Sequence, residues 1–301
     1  MSGRIVCVGN GVLDQVYEVE VLPRAPLKTT ALNFRESGGG PAATAALAIA
    51  RLGGQASWWG RVGDDSAGGA LRTALTRHGV DLSGLAVIAG ARTVRAAVIV
   101  DGSGERSIFV DRKGLPSDAA YLPADDLKET AVLLADSRWP EGSELALERA
   151  RDAGIPRVLD ADGGDSEMLA RLVGLADHVV FSDEGLTDLV GAGETEAKLQ
   201  RAAERVQGIV AVTCGAAGSL WWIDGKIAQV AAFRVAARDT TGCGDVFHGA
   251  YALGLAEAMP PLVAARFASA AAAAKAARGM GWDGMPDRKL IDSMMREEQH
   301  R

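Results

Sequence analysis

Short runs of apolar and β-branched residues recur along this chain at Arg4–Val8, Ala56–Val62, Val132–Asp136, Arg157–Asp160, His178–Ser182 and Ile209–Cys214, with amphipathic, helix-periodic segments mostly between them. Strands that are apolar on both faces need cover on both sides, and helices in the intervening segments supply it. The pattern therefore predicts an α/β fold with a central, mostly parallel sheet flanked by helices. Two regions break the alternation, at about 14–35 and 91–112, where strand-like stretches follow one another with no room for a helix. They predict a small β-sheet lid of a few antiparallel strands over one edge of the large sheet. No repeat, charge run or low-complexity linker divides the chain, so residues 1–301 are read as one domain. The alanine-rich stretch Phe267–Ala277, interrupted by Lys275, reads as a closely packed interior helix and not as a membrane span. Leu290–Glu298 reads as a closing helix with a frayed tail.

The 32 basic and 39 acidic residues give a net charge of −7, which argues against a nucleic-acid partner and requires local cations wherever an anion is held. Cys7, Cys214 and Cys243 form neither an even set nor a metal-ligand spacing, so a reducing cytoplasm is expected. The first apolar run is too brief for a signal peptide, and no membrane partner is expected.

Asp239-Thr240-Thr241-Gly242-Cys243-Gly244-Asp245 runs straight into Val246-Phe247-His248-Gly249-Ala250, whose spacing is helical. Two glycines allow a tight turn with N–H groups facing one way, and a helix that begins there adds the positive end of its dipole. Such a site suits a transferring phosphoryl group, and Asp245 stands where a general base belongs. Read alone, the aspartate could equally be a helix cap. A second glycine-rich segment, Gly38-Gly39-Gly40-Pro41-Ala42-Ala43-Thr44-Ala45-Ala46, brings backbone close to a ligand and opens a helix of small side chains. Gly60 to Gly68 reads as a mostly architectural strand-turn-helix. Asp14 ends the first strand region, as a turn aspartate or as a hydroxyl ligand. Gly9-Asn10-Gly11 also suggests a dinucleotide-binding turn, but Asp14 fills the place of the third glycine and the residues after it alternate like a strand.

Together these motifs resemble the PfkB, or ribokinase-like, family of carbohydrate and nucleoside kinases, from Arg4 to about Asp292. The resemblance implies an ATP-dependent sugar kinase that uses Mg2+. Asp245 would be the base, and Gly242, Cys243 and Gly244 would stabilise the transferring charge. It implies sugar contacts at Asp14, Gly39, Gly40 and Thr44, the last standing where the family usually has Asn. ATP would lie on Thr213, Gly215, Gly218, Gly242, Gly244, Ala271 and Gly279. A monovalent cation such as K+ would sit near Asp239 and Thr241. The family's magnesium-ordering N-x-x-E motif reads Ser182-Asp183-Glu184-Gly185 here, so Asp183 or Glu184 would act through water. Pairing through the lid strands would give a homodimer.

The sulfofructose kinase branch has the most similar pattern. It implies 1-phosphorylation of 6-deoxy-6-sulfofructose with Lys28 and Arg138 on the sulfonate, although Val110 stands where that branch has an Asn. A fructokinase or ketohexokinase, a 2-keto-3-deoxygluconate kinase and a sugar-sensing protein without turnover are the alternatives. His248 reads as a packing or helix-surface residue.

Overall fold

The structure is a computed structural model that describes residues 3–23, 28–102, 105–124 and 127–299. The parts of the expected lid at 24–27 and 103–104 lie outside the described residues.

From the N-terminus, β1 (Arg4–Val8) leads to β2 (Val12–Glu18), β3 (Asn33–Gly39), α1 (Pro41–Arg51), β4 (Ala56–Trp59), β5 (Arg61–Gly63) and α2 (Ser66–Arg77). Then come β6 (Ala86–Ile88), β7 (Arg95–Val100), β8 (Arg106–Asp111), β9 (Thr130–Asp136), α3 (Pro140–Asp152), β10 (Arg157–Ala161), α4 (Ser166–Val173), β11 (His178–Phe181), α5 (Asp183–Val190) and α6 (Thr195–Ala203). The chain closes with β12 (Ile209–Thr213), β13 (Ser219–Ile223), β14 (Lys226–Val230), α7 (Cys243–Ala256), α8 (Pro261–Arg278) and α9 (Arg288–Gln299).

The main sheet has eight strands in the order β14-β13-β12-β11-β10-β9-β1-β4. β4 to β12 in that order are mutually parallel, and β13 and β14 add an antiparallel edge. Alternation within β1 shows how the two faces are built. Ile5 and Cys7 join the cluster formed with α1, α7 and α8, whereas Val6 and Val8 join the cluster formed with α3, α4, α5 and α6.

Small residues set the spacing on the first face. A methyl group built on Gly249 of α7 would lie 2.6 Å from the Ala45 carbonyl oxygen of α1, and one on Gly254 would lie 2.7 Å from Ala264 Cβ of α8. The three helices thus touch backbone to backbone. The alanine-rich stretch is the buried α8, and no helix among the described residues is long and apolar enough to cross a membrane.

The lid is a separate sheet ordered β3-β2-β7-β8. It differs from the antiparallel lid expected from the sequence, because its central pair β2–β7 is parallel, with Leu13 opposite Arg95. Each excursion is an antiparallel pair, and the two join through strands that leave the body in the same direction. The stretch Ala56–Val62 is also not one strand. It breaks at Gly60, where a Cβ would sit 2.6 Å from the Trp58 ring, and β5 pairs with β6 in a small sheet of its own. Asp65 caps α2 through Gly68 N at 3.0 Å and accepts from Thr93 and Arg95, so this turn fastens the body to the lid as an architectural element.

Candidate active site

Gly242 is the N-cap of α7 at φ 73°, a left-handed backbone that favours glycine. The turn before it is held by Thr241 N donating to Asp239 Oδ1 at 2.8 Å and Cys243 N donating to the Thr240 carbonyl at 3.2 Å. The Cys243 amide is therefore engaged within its own turn, a correction to its expected place among the charge-stabilising donors. Gly244 and Asp245 N–H, in the first turn of α7, have no intrahelical acceptor. Burial pushes the Cys243 thiol up to about 11, which leaves it a spacer and not a nucleophile.

This helix start stands between two cavities. One is a cleft of about 860 Å³ that includes Asp14, Gly39, Gly40, Thr44, Gly242 and Asp245. The other, of about 470 Å³, includes Thr213, Gly215, Gly218, Cys243, Gly244 and Phe247. Ala237 and Thr240 line both. Asp245 thus faces the larger cavity while the amide of Gly244 borders the smaller. Burial is the main force that pushes the Asp245 carboxyl up to about 8; the Asp160 carboxylate adds to it and His248 opposes it.

The larger cleft gathers most of the sugar-contact candidates. Burial pushes the Asp14 carboxyl up to about 6 against the pull of Arg35. A Cβ on Gly39 would lie 2.3 Å from Asp14 Oδ2, so only glycine leaves that carboxylate free to face the cleft. The hydroxyl of Thr44 accepts from Trp282 Nε1 at 3.0 Å. Trp282 went unnoticed in the sequence, although it also lines the cleft and takes Ser37 Oγ at its backbone N–H. Gly38 matches it: a Cβ there would lie 2.2 Å from the Trp282 ring.

The expected anion ligands are not brought together. Lys28 is exposed and is not among the residues lining the cleft. Arg138 lies at the end of β9, but its guanidinium holds the Asp162 side chain at 2.9 Å and the Asp162 carbonyl at 2.8 Å, and it lines neither cavity. Four other arginines, given no role by the sequence reading, do line the cleft: Arg35, Arg106, Arg238 and Arg278. Arg35 of β3 and Arg106 of β8 flank the Asp239 carboxylate at 3.7 and 3.8 Å, and Arg106 also donates to Thr240 and Thr241. The Asp239–Thr241 site expected for a monovalent cation is therefore already bordered by two guanidinium groups. Val110 is on β8 and exposed.

Of the nucleotide candidates, Thr213, Gly215 and Gly218 line the smaller cavity; Gly218 has φ 95°, and a Cβ there would sit 2.1 Å from the Val230 carbonyl. Ala271 does not line it. That residue is buried on the other side of α8, and the face toward the cavity is Ser269, Ala272, Ala273 and Ala276. Gly279, the C-cap of α8, lines the larger cleft instead. Asp183 and Glu184 are in the first turn of α5, where Asp183 accepts from the buried Lys198 ammonium at 2.6 Å and Glu184 is exposed.

A two-cavity site divided by a glycine-rich helix start can hold two substrates side by side. The pattern of the pfkB family carbohydrate kinases matches residues 2–287. The chain belongs to the PfkB family of carbohydrate kinases. It is a kinase of sugars that uses ATP. The kinase is 32% identical over 276 residues to a fructokinase of Klebsiella pneumoniae, covering 85% of each chain. A solved chain from Agrobacterium tumefaciens matches it with a TM-score of 0.91 and 34% identity over 100% of both. The ribokinase of Arabidopsis thaliana, solved with ribose and ATP, matches with a TM-score of 0.87 at 26% identity, over 98% of this chain and 99% of that one.

Proposed function

We propose that this sugar kinase transfers the γ-phosphoryl group of ATP to a primary hydroxyl of a ketose, with Asp245 as general base. The observation that carries the reading is the place of Asp245, which lines the larger cleft from the first turn of α7, next to Gly244 on the smaller cavity. The sugar lies in the larger cleft, its hydroxyls on Asp14 and the Gly39–Gly40 backbone. Adenine and ribose lie in the smaller cavity against Gly215, Gly218 and the small-residue face of α8. The triphosphate then crosses at Thr240, and the γ-phosphoryl group meets the amides of Gly242 and Gly244 and the α7 dipole. Asp245 takes the hydroxyl proton as the oxygen attacks, and the oxygen bridging to the β-phosphate leaves with the P–O bond's electron pair. Lid closure excludes water from the transfer.

Among the described residues no cluster of three acidic, histidine or cysteine side chains stands ready to hold a metal, so magnesium would come with the nucleotide and meet the protein through oxygen ligands near α5. Glu184 would hold it through water, since Lys198 already occupies Asp183. When bound with ATP, that ion neutralises charge on the phosphates. A monovalent cation fits less well, because Arg35 and Arg106 already supply positive charge at Asp239. Exposed Phe34, Ile108 and Phe109 on the lid support a homodimer through that sheet, and the three free cysteines support a cytoplasmic setting.

The fructokinase relative favours fructose as the sugar. A second reading, 6-deoxy-6-sulfofructose or another anionic ketose or sugar acid, draws on Arg35 and Arg106 in the cleft in place of Lys28 and Arg138. Phosphate transfer measured across fructose, sulfofructose, tagatose, ribose and 2-keto-3-deoxygluconate tests both readings. A preference for ribose, or no transfer to any sugar, would overturn them.

A further inference from the structure

Within the alanine-rich stretch Phe267–Ala277 of α8, Lys275 is the one charged residue, and it is 1% exposed. It lines the larger cleft together with Asp239, Thr241, Gly242 and Asp245. An ammonium has three hydrogens to donate, yet among the described residues its Nζ makes a single hydrogen bond, to the Gly279 carbonyl oxygen at 3.4 Å. Burying an ammonium so sparsely satisfied is costly, and packing alone would be served by an apolar side chain.

Its neighbourhood offsets that cost, and it is the neighbourhood of the 239–242 turn. Lys275 lies in the last turn of α8, at the negative end of the helix dipole. The same turn carries the backbone that leads to Asp239: the Ala276 carbonyl accepts from Arg238 N at 2.8 Å and from Asp239 N at 3.3 Å. The C-cap Gly279 packs there too, since a Cβ on it would lie 3.3 Å from Asp239 Cβ. The charged and titratable groups that face the ammonium are Cys243 and Asp245 on α7, Asp239 before that helix, and Arg35 from the lid. Burial pulls Lys275 below the ordinary lysine range, while Cys243, Asp239 and Asp245 hold it up against Arg35. Two carboxylates thus stand where a triphosphate would arrive. Arg35 and Arg106 flank Asp239, but both are carried by lid strands. Of these three cations, Lys275 alone belongs to the body.

We propose that the Lys275 ammonium is a built-in cation that takes the place of a soluble monovalent ion behind the Asp239–Gly242 turn, so that the kinase works without K+. Lys275 is then a positioning residue. It offsets Asp239 and adds positive potential at the Gly242 and Gly244 amides without touching the phosphoryl group. The proposal rests on the reading of this turn as the phosphate site.

Kinetics and melts of the full chain test it. At constant ionic strength, wild-type kcat should be the same in Na+, K+ and NH4+. Lys275→Ala removes the side chain beyond Cβ, and propylammonium supplies the missing atoms. That variant should lose about tenfold in kcat, less than the roughly 10²–10³ that a direct donor to developing charge is worth, with KM for the sugar near wild type. Ammonium or propylammonium should recover most of the loss, and tetramethylammonium, too bulky to enter, should recover none. Lys275→Met, which fills the space without charge, should lose as much and respond to neither amine. Without substrates, the two amines should raise the urea midpoint of Lys275→Ala and leave that of wild type unchanged. Activation of wild type by K+, a loss of kcat that no amine restores, or a loss confined to KM for the sugar would overturn the proposal. Unchanged kcat in both variants with melts that ignore the amines would overturn it as well. Unchanged kcat beside amine-raised melts would instead keep the cation's place and defeat the turn as the phosphate site.

Discussion

Asn in place of Asp245 keeps the side chain's size and removes its ability to accept a proton, which makes pH the informative variable. In the free enzyme, burial first and Asp160 second push this carboxyl up to about 8. A base works only when ionised, so simple titration leaves about one-tenth of the enzyme competent at pH 7 and about one-hundredth at pH 6. Wild-type kcat/KM, which reports the free enzyme, should therefore climb roughly tenfold per unit from pH 6 and level off above about pH 8. Asp245→Asn should lose at least about a hundredfold in kcat and show no such limb. Stability runs the other way. A carboxyl whose folded value lies above its unfolded 3.8 favours the folded state while protonated, so that contribution fades as pH rises toward about 8. With a slope of up to ~1.4 kcal/mol per unit, wild type should lose roughly 2 kcal/mol against Asp245→Asn between pH 6 and 8. Coupled-assay kinetics and urea melts across that range measure both effects. A limb centred at or below pH 6, or melts of the two proteins that run parallel, would refute the reasoning.

Gly39→Ala drives a methyl group into the Asp14 carboxylate. It should raise KM for the sugar about tenfold or more, the worth of a hydrogen bond to a charged group, and leave KM for ATP near wild type. Thr44→Val removes the acceptor of the buried Trp282 Nε1 and should cost about 1–3 kcal/mol in urea unfolding, the penalty for an orphaned donor. Arg106→Ala breaks the link from β8 to Thr240 and Thr241. If the sugar is anionic, the variant should lose about tenfold or more on that sugar and far less on fructose, measured as kcat/KM for each. Equal losses would assign Arg106 to the loop alone.

What the sequence disclosed divides along chain distance. The parallel strands were legible because burial on both faces leaves an unbroken apolar run, as in Val132–Asp136, and the α7 start was legible because its turn, glycines and carboxylate lie within seven consecutive residues. Arg138 misled because what occupies it is Asp162, a residue 24 positions away on another strand end. Trp282 reaches Thr44 across 238 residues, and no local pattern announces such a contact. Arg35 and Arg106 look like ordinary lid-surface cations until the lid and the 239–241 turn are brought together. Ala271 failed by one residue of helical phase, since in an almost uniform alanine helix nothing in the sequence marks which face meets the cavity. The parallel β2–β7 pair was hidden for a similar reason. Strand alternation fixes the face of each residue but says nothing of the partner's direction.

The close packing of α1, α7 and α8 connects these levels. Because Gly249 rests on the Ala45 backbone and Gly254 on Ala264, the axis of α7 is fixed by contacts between unbending backbones and not by adaptable side chains. Its first turn, which carries Gly242 and Asp245, inherits that rigidity. The lid, by contrast, meets the body largely through side chains, among them Asp65 with Thr93 and Arg95, Ser37 and Gly38 with Trp282, and Arg35 and Arg106 with the 239–241 turn. Such contacts can break one at a time, whereas the α1–α7–α8 interface cannot yield without opening the core. The same chain thus holds the first turn of α7 on its least yielding interface and joins the lid to the body through contacts that can open separately.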